Sequence, residues 1–242
     1  VLTDDNFASI EKAVEEGRGV FDNLTKTILF ILPASGAQSL TIISAVLFDL
    51  AVMPVTPLQI LWVNLVVATT LGMALAFEPA EEDIMQRPPR RQNEPILSGH
   101  LLWRTVFVSV LIAALTLALF LQQFGSTSAE QARTLAVNVL VVGQLVYLFN
   151  SRFLLRPSFT LQGLGGNRVA WLAAAALIVL QLAFTYAPPF QRWFGTTGLS
   201  AWQWLQVAGT GVVVFVLVEV EKGVIRWRLK GKDRSQMVKS PS

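Results

Sequence analysis

The stretch TVFVSVLIAALTLALFLQQFGSTSA, residues 105–129, contains no Asp, Glu, Lys or Arg, and stretches of this kind decide the fold. Since a helix rises about 1.5 Å per residue, such a segment can cross a hydrocarbon layer about 30 Å thick. The second and sixth helices are expected to begin near Leu58 and Ala201. The sequence therefore predicts an all-α membrane protein, a six-helix transmembrane bundle. The other five stretches, each of 18 or more residues, are 27–48, 50–77, 134–151, 169–191 and 193–218.

The overall composition supports a membrane protein and excludes several classes of function. Hydrophobic residues make up 53% of the 242 residues and charged residues 14%, where soluble proteins have roughly a quarter charged. The net charge of +3 is too small and too scattered for a nucleic-acid surface. With no Cys and one histidine, His100, the chain offers no disulfide and no Cys or His metal cluster. No phosphate loop or Ser/His/Asp constellation appears, so no catalytic residue is assigned.

Positive charges are distributed unevenly between the predicted loops. Arg133 and Arg192 lie on one side, Arg104 lies at a helix start, and the other 16 of the 19 Lys and Arg residues share the opposite side. Cytoplasmic loops of membrane proteins carry an excess of Lys and Arg. We therefore expect an integral protein of the cell membrane with both termini in the cytoplasm. The 16 residues are Lys12, Arg18, Lys26, Arg87, Arg90, Arg91, Arg152, Arg156, Arg168, Lys222, Arg226, Arg228, Lys230, Lys232, Arg234 and Lys239.

A seven-residue pattern precedes the first predicted span. Its spacing, in alternating steps of three and four, is typical of a helix that packs along one seam against a partner. Asp4, Asp5 and Asn6 are candidate N-caps, and no proline occurs before Pro33. We expect one stalk helix that runs from the cytosol into the membrane, the alternative being a short amphipathic helix on the membrane surface. The apolar or small residues of the seam are Phe7, Ile10, Val14, Gly17, Phe21, Leu24 and Ile28.

The second predicted loop contains the one dense group of carboxylates outside the stalk. Its members are Glu78, Glu81, Glu82 and Asp83, and no histidine lies beside them. Acidic residues next to the end of a span usually form a solvated face. We interpret all four in that way.

Four polar side chains lie well inside the predicted spans and are the candidate residues of an ion pathway: Ser35, Gln38, Asn64 and Gln144. Inside hydrocarbon a polar side chain needs a partner, so such residues indicate either a shared polar site or hydrogen bonds that hold helices together. Pro33 is the expected helix break, because it removes a backbone hydrogen bond, and it is expected to leave the carbonyl near Leu29 open to a ligand or water. Both alternatives for the four residues stay open.

Three separated motifs resemble the C-terminal part of the type II P-type cation-transporting ATPases. The motifs are VLTDDNFASIEKAVEEGRGVFDNL at 1–24, ILWVNLV at 60–66 and DIMQRPPR at 83–90. The first is similar to the end of the phosphorylation domain and the stalk of transmembrane helix five. Residues 132–152, ARTLAVNVLVVGQLVYLFNSR, are similar to helix eight of bacterial members. The resemblance covers essentially the whole chain and implies that its spans are helices five to ten.

The resemblance implies an ATP-driven ion pump whose catalytic domains lie upstream. The DKTGT, TGES and TGDGVND motifs of the family do not occur in this chain, which begins at Val1 and is expected to be a piece of a longer protein. We therefore expect no ATP hydrolysis by this chain alone and no cofactor within it, ATP and Mg²⁺ being implied for the upstream domains. The expected partners are the lipid bilayer, the missing ATPase domains with transmembrane helices one to four, and the transported cation, but no nucleic acid.

The same resemblance divides the chain into three parts. Residues 1–26 are expected to be the end of the phosphorylation domain and the stalk helix. Residues 27–221 are the expected six-span transmembrane domain, and residues 222–242 are the expected basic cytoplasmic tail.

The ion ligands of calcium pumps in the family have neutral counterparts here. In the helix five pattern, Ser35 stands where the family has Asn and Gln38 where it has Glu. In helix eight, Gln144 stands where the family has Glu. Every acidic ligand implied by the calcium-pump pattern is therefore replaced by an uncharged residue, and the resident metal, if any, is unknown.

The helix six pattern WVNLVTDGLPA keeps Asn64 but has Val67 and Ala68 in place of Thr and Asp. Calcium is normally held by about six to eight oxygens that include carboxylates. The four neutral polar residues, without any carboxylate, predict a weakly held monovalent ion or another solute as cargo, or a site that has lost transport. Two hypotheses follow: the translocation half of a cation pump, and a truncated or remnant membrane module. A free-standing six-helix channel would leave the stalk seam unexplained.

Overall fold

The computed structural model describes residues 7–79, 84–86, 99–152 and 167–237, and within them every regular element is a helix. The predicted all-α fold is confirmed for this part of the chain. The long helices are α1 (Phe7–Leu47), α2 (Pro57–Ala76), α3 (Gly99–Gln123), α4 (Ala129–Ser151), α5 (Arg168–Tyr186) and α7 (Ala201–Met237), and the short helix α6 (Pro188–Phe194) precedes α7.

Several residues of the sequence interpretation lie outside the described residues. They are the candidate N-caps Asp4, Asp5 and Asn6, the carboxylates Glu81, Glu82 and Asp83, and the basic residues Arg87, Arg90, Arg91, Arg156 and Lys239.

Five helices, α1 to α5, are long and apolar enough to cross a membrane. The second begins at Pro57, next to the expected Leu58. Helix α7 begins at the expected Ala201 and continues without a break to Met237. That α7 forms the sixth crossing stays a prediction.

Helix α1 is continuous over 41 residues and passes through Pro33, so the expected break at Pro33 does not end the helix. The expected single helix across the first span and the segment before it is therefore present. Along the seam, Phe7, Ile10, Val14 and Leu24 are exposed, with Phe7 86% exposed. Since a seam of this kind needs a partner helix, its projection from the membrane as a stalk stays a prediction.

Helix α2 has a specified start and an irregular middle. The Thr56 hydroxyl accepts a hydrogen bond from the Gln59 backbone N–H at 3.3 Å, and Gln59 Oε1 accepts one from the Thr56 N–H at 3.0 Å. This reciprocal capping box satisfies two N–H groups that the first turn would leave unpaired. Residues Ala68–Gly72 form a π-helical turn. Such turns inside α-helices are frequent at functional sites.

Helix α4 lies at the centre of the bundle. Of its apolar window 72% is buried, compared with 33–44% for the other four candidate spans. Val137, Leu140 and Tyr147 on α4 belong to the main hydrophobic core, together with Phe30 of α1. Polar side chains on α4 are therefore those best shielded from lipid.

Candidate functional site

The candidate site begins with a direct contact between α4 and α1. Gln144 is completely buried, and its Nε2 donates a hydrogen bond to the Ala34 carbonyl oxygen at 3.2 Å. This contact joins residues 110 positions apart in the chain. Because a carbonyl only accepts hydrogen bonds, the contact fixes which end of the amide faces α1.

Gln38 lies one turn beyond Ala34 on the same face of α1 and is only 4% exposed. Gln38 Oε1 and Gln144 Oε1 are both buried and have no hydrogen-bond partner among the described residues. Buried polar atoms in proteins are nearly always paired with protein or ordered water. The two amide oxygens are therefore positioned to accept from water or to face a cation.

Pro33 has the local effect that its chemistry predicts, but the carbonyl it releases is occupied. A proline at this position has no N–H for the Leu29 carbonyl. Tyr147 Oη donates to that oxygen at 2.9 Å. The expectation that the Leu29 carbonyl stays open to a ligand was wrong, because Tyr147 lies one turn from Gln144 and reaches the same part of α1.

Ser35 and Asn64, the other two candidate residues, are placed differently from Gln38 and Gln144. Both are exposed on the surface of the described chain, and neither side chain makes a hydrogen bond with another described residue. Ser35 is on α1 and Asn64 is on α2, a turn before the π-helical segment. The structure thus joins the α1 and α4 glutamines in the interior and leaves Ser35 and Asn64 at its surface.

The π-helical turn of α2 carries two hydroxyls that fold back on the backbone. Thr69 Oγ1 donates to the Leu65 carbonyl oxygen and Thr70 Oγ1 to the Val66 carbonyl oxygen, each at 2.6 Å. Val67 is buried and Ala68 is exposed. The hydroxyls satisfy carbonyls that the altered helix would otherwise leave under-paired.

Exposed polar residues at mid-helix depth are confined to α1 and α2. Within residues 101–121, 169–182 and 201–218 of α3, α5 and α7, every exposed residue is apolar or glycine. On α1 and α2 the exposed set includes Ser35, Ser39, Asn64 and Thr69. Apolar faces suit lipid, whereas hydrocarbon disfavours a face with four polar side chains.

A second buried polar group holds α4 to α5. Asn138 Nδ2 donates to Thr185 Oγ1 and Gln181 Nε2 donates to Asn138 Oδ1, each at 3.2 Å. All three residues are at most 4% exposed. For Asn138 and Gln181 the structure therefore shows hydrogen bonds between helices.

Glu78 is not part of a solvated face, so that interpretation was wrong for this residue. It is 8% exposed, and its Oε1 lies 2.9 Å from Arg152 Nη2, just beyond the end of α4. Asn167, the N-cap of α5, donates from Nδ2 to Glu78 Oε2 at 2.6 Å. Asn23 of α1 donates to the Glu78 backbone oxygen at 2.8 Å. Four helices meet at Glu78, which explains its burial.

A second ion-pair cluster lies where α7 passes the start of α3. Arg104 Nη2 is 3.0 Å from Glu221 Oε2, and Lys222 Nζ is 2.9 Å from Glu219 Oε1. Asn150 of α4 donates to the same Glu219 oxygen at 2.9 Å. Burial lowers the pKa of Lys222 to about 8, while the hydrogen bond and charge of Glu219 act in the opposite direction.

These two clusters are here called the inner belt. They gather ends of some helices and starts of others on one side of the bundle. The end of α2 and the end of α4 meet the start of α5 at Glu78, and the start of α3 meets the late part of α7 at Arg104. Successive long helices therefore run in opposite directions. Arg104, which the loop charges left unassigned, belongs to the belt.

Sequence reasoning missed the partners of the predicted residues. Tyr147 is three residues after Gln144 and shares its helix face, which was a usable signal. Ser109 Oγ, 3.3 Å from the Pro33 carbonyl oxygen, lies on a different helix and gave no signal. No group of three or more His, Asp or Glu residues that could hold a metal ion occurs in the described residues.

The fold and contacts define a helical membrane domain with neutral polar residues in its interior. Residues 52–224 match the family described as "Cation transporting ATPase, C-terminus". The chain belongs to this family and corresponds to the C-terminal transmembrane portion of a P-type ATPase.

Named relatives agree with that assignment. The chain is 41% identical over 222 residues to a probable cation-transporting ATPase F of Mycobacterium tuberculosis, covering 91% of this chain and 24% of the relative. It is 33% identical to a calcium-transporting ATPase of Bacillus subtilis, covering 88% and 24%. It is also 33% identical to the calcium-transporting ATPase type 2C member 2 of Mus musculus, covering 92% and 24%. The chain thus spans about a quarter of the length of these relatives.

Proposed function

We propose that this chain is the translocation segment of an ATP-driven cation pump, with Gln38 and Gln144 facing the path of the ion. The observation that carries the proposal is that two buried amide oxygens without hydrogen-bond partners among the described residues, those of Gln38 and Gln144, belong to helices that contact each other directly. A buried acceptor left unpaired costs about 1–3 kcal/mol. A cation or its water would remove that cost when bound.

The exposed polar face of α1 and α2 supports a pathway that other helices complete. Ser35 and Asn64 would be unfavourable against lipid, and the relatives are about four times as long as this chain. We propose that the upstream helices one to four cover this face. The upstream domains would supply ATP and Mg²⁺ binding and also the partner of the stalk seam.

The proposed cargo is a weakly held monovalent cation or another solute. Ser35, Gln38, Asn64 and Gln144 provide hydroxyl and amide oxygens without charge, and the predicted spans contain no carboxylate near their middles. A double positive charge in a medium of low dielectric needs negative ligands nearby. The names of two relatives include calcium, but this ligand set does not favour tight calcium binding here.

The decisive experiment is an ion titration of the intact pump. Calcium binding, followed by isotope or calorimetry, is expected to be far weaker than about 1 µM, a value common among calcium sensors. Micromolar affinity that disappears in Gln38→Ala and Asn64→Ala variants would contradict the neutral-site proposal.

Ion-stimulated ATP hydrolysis then tests the role of the glutamines. In Gln144→Leu the monovalent-ion concentration for half-stimulation is expected to rise about tenfold, equivalent to about 1.4 kcal/mol. Gln181→Leu is the matched control, since Gln181 is also a buried glutamine with an unpartnered Oε1, but it lies on α5 and its Nε2 donates to Asn138 instead of to α1. Equal shifts in both variants would contradict a specific role for Gln144.

The second candidate function is a membrane module without coupled transport, and Asn138, which pairs with Thr185 and Gln181 of α5, favours a purely packing role for some amides. Absence of ATP-driven ion movement by the intact protein in sealed vesicles would support this alternative. Transport of any cation would exclude it.

A further inference from the structure

An exposed apolar stripe follows α7 from its membrane segment to its basic end. Val213, Val216, Val220, Val224 and Trp227 are three or four residues apart and are 41–76% exposed. This spacing places them on one face of the helix. The stripe therefore continues past the inner belt, at Glu219 to Lys222, without turning towards the bundle.

Two tryptophans on α7 mark levels that match the two surfaces of a bilayer. Trp202 is 64% exposed and Trp227 is 76% exposed. At about 1.5 Å per residue they are about 38 Å apart along the helix, close to the full thickness of about 40–45 Å with headgroups. Tryptophan is enriched at this interface. Trp227 is thus placed at headgroup level on the side of the inner belt.

The basic residues of the chain are concentrated around Trp227. Residues 223–237 contain five Lys or Arg and one acidic residue, Asp233. The backbone of this segment continues the helix as far as Met237. The basic residues are Arg226, Arg228, Lys230, Lys232 and Arg234.

We propose that residues 223–237 bind anionic phospholipid headgroups, with Trp227 inserted at the interface and the positive charge of this segment attracting the phosphates. Clusters of four to eight Lys and Arg next to a membrane helix attract anionic lipid, and the attraction falls off within a Debye length. The proposal rests on the proposed pump segment spanning the membrane with α7 as its sixth crossing and with the end of α7 in the cytoplasm, as the loop charges predict. It adds a lipid-binding segment to the pump.

The position of Trp227 favours lipid over a protein partner. Trp227 continues the stripe of valines that faces away from α3 and α4, and a stripe of this composition is typical of lipid contact. More than one turn before Trp227, the opposite face of α7 is engaged by the belt, through Glu221 with Arg104 and Lys222 with the Asn150 carbonyl. An upstream protein domain would have to displace lipid from this stripe.

The test uses the intact pump in nanodiscs that contain brominated lipids, which quench tryptophan on contact. The difference between wild type and Trp227→Phe isolates the signal of Trp227. At equal mole fraction, brominated phosphatidylglycerol is expected to quench it about three times as strongly as brominated phosphatidylcholine. The preference should disappear at about 0.5 M salt. It should also disappear in Arg228→Gln/Lys230→Gln/Lys232→Gln/Arg234→Gln.

Trp193 provides the matched control, because it is 67% exposed and follows a single arginine, Arg192, at the other end of the bundle. Its signal, isolated with Trp193→Phe, should show no lipid preference. Equal quenching of Trp227 by both lipids, or a preference that survives the four substitutions, would overturn the proposal. No quenching by either lipid would assign the segment to a protein partner and overturn it as well.

ATP-driven transport in vesicles of the same protein separates this proposal from the pump proposal. Lipid preference without transport would overturn the pump and leave the lipid segment. Transport without lipid preference would overturn the lipid segment alone.

Discussion

Individual hydrogen bonds from α4 side chains to α1 carbonyl oxygens determine the register in which the two helices pack. Pro33 deprives the Leu29 carbonyl of its helical partner, and Tyr147 Oη takes that place at 2.9 Å. Gln144, one turn earlier on α4, bonds the Ala34 carbonyl oxygen. The two contacts lock the register between the helices and leave the amide oxygens of Gln38 and Gln144 facing inward.

Tyr147→Phe is expected to lower the free energy of unfolding by about 1 kcal/mol, because it leaves the buried Leu29 carbonyl unpaired. Thermal unfolding of the purified protein in detergent measures the effect. Tyr186→Phe is the control. Tyr186 also donates to a carbonyl, that of Leu199, and accepts from Trp204 Nε1, but it is 45% exposed and water can replace its hydroxyl in both contacts. Equal losses in the two variants would contradict the argument.

Glu78→Gln is expected to destabilise the protein by about 3 kcal/mol, because the buried Arg152 guanidinium loses the carboxylate charge that lies 2.9 Å away. The apolar pair Glu78→Leu/Arg152→Met should recover much of that loss, since it removes both charges. The midpoint of thermal unfolding measures both variants. Glu130→Gln, at an exposed carboxylate in the first turn of α4, should have little effect. A Glu78→Gln protein as stable as wild type would refute the buried pair.

At the scale of elements, close approach of backbones holds α1 to α3. A Cβ built on Gly36 would meet the side chain of Ser109, with its Cβ at 3.1 Å. Small residues allow such approach between membrane helices, where packing provides much of the association energy. Ser109 also donates to the Pro33 carbonyl oxygen at 3.3 Å, so one residue serves both contacts.

Gly36→Ala is expected to destabilise the bundle by about 1–3 kcal/mol through overpacking. Ser109→Gly in the same protein should restore part of the loss by removing the opposing side chain. Gly209→Ala on α7 is the control, since nothing lies within 4 Å of the added Cβ. Its effect should be neutral or stabilising, because Ala favours helix over Gly. Unfolding midpoints that fall equally for both glycines would contradict the packing argument.

At the scale of the whole molecule, the inner belt and the loop charges indicate the same orientation of the helices across the membrane. The belt gathers Glu78, Arg104, Arg152 and Lys222 at one end of the helices. The loops on that side carry most of the basic residues, which favours a cytoplasmic location. Reporter fusions after Met53, Thr127 and Gly198 are therefore expected to report the outside. A cytoplasmic signal at any of the three would contradict the six-span orientation.

The isolated chain is expected to show no ATPase activity. Phosphoryl transfer needs positioned carboxylates, Mg²⁺ and phosphate-binding groups, and the phosphorylation and nucleotide motifs of the family do not occur in this sequence. Phosphate release by the purified chain measures this directly. ATP turnover that persists after contaminating ATPases are removed would overturn the expectation.

The sequence by itself determined the long helices, the approximate starts of α2 and α7 and the family, because a span depends on a local run of apolar residues and a cap on its immediate neighbours. It also identified Gln38 and Gln144 as polar groups at membrane depth. It did not predict that the stretch 169–191 divides into α5 and the short helix α6. Only the tertiary structure decided that Gln144 bonds α1, that Tyr147 occupies the Leu29 carbonyl and that Glu78 is buried. These contacts join residues 74 to 118 positions apart, and they depend on the rotation and depth of whole helices. No local pattern encodes that rotation, since it follows from how all the packed faces fit together at once.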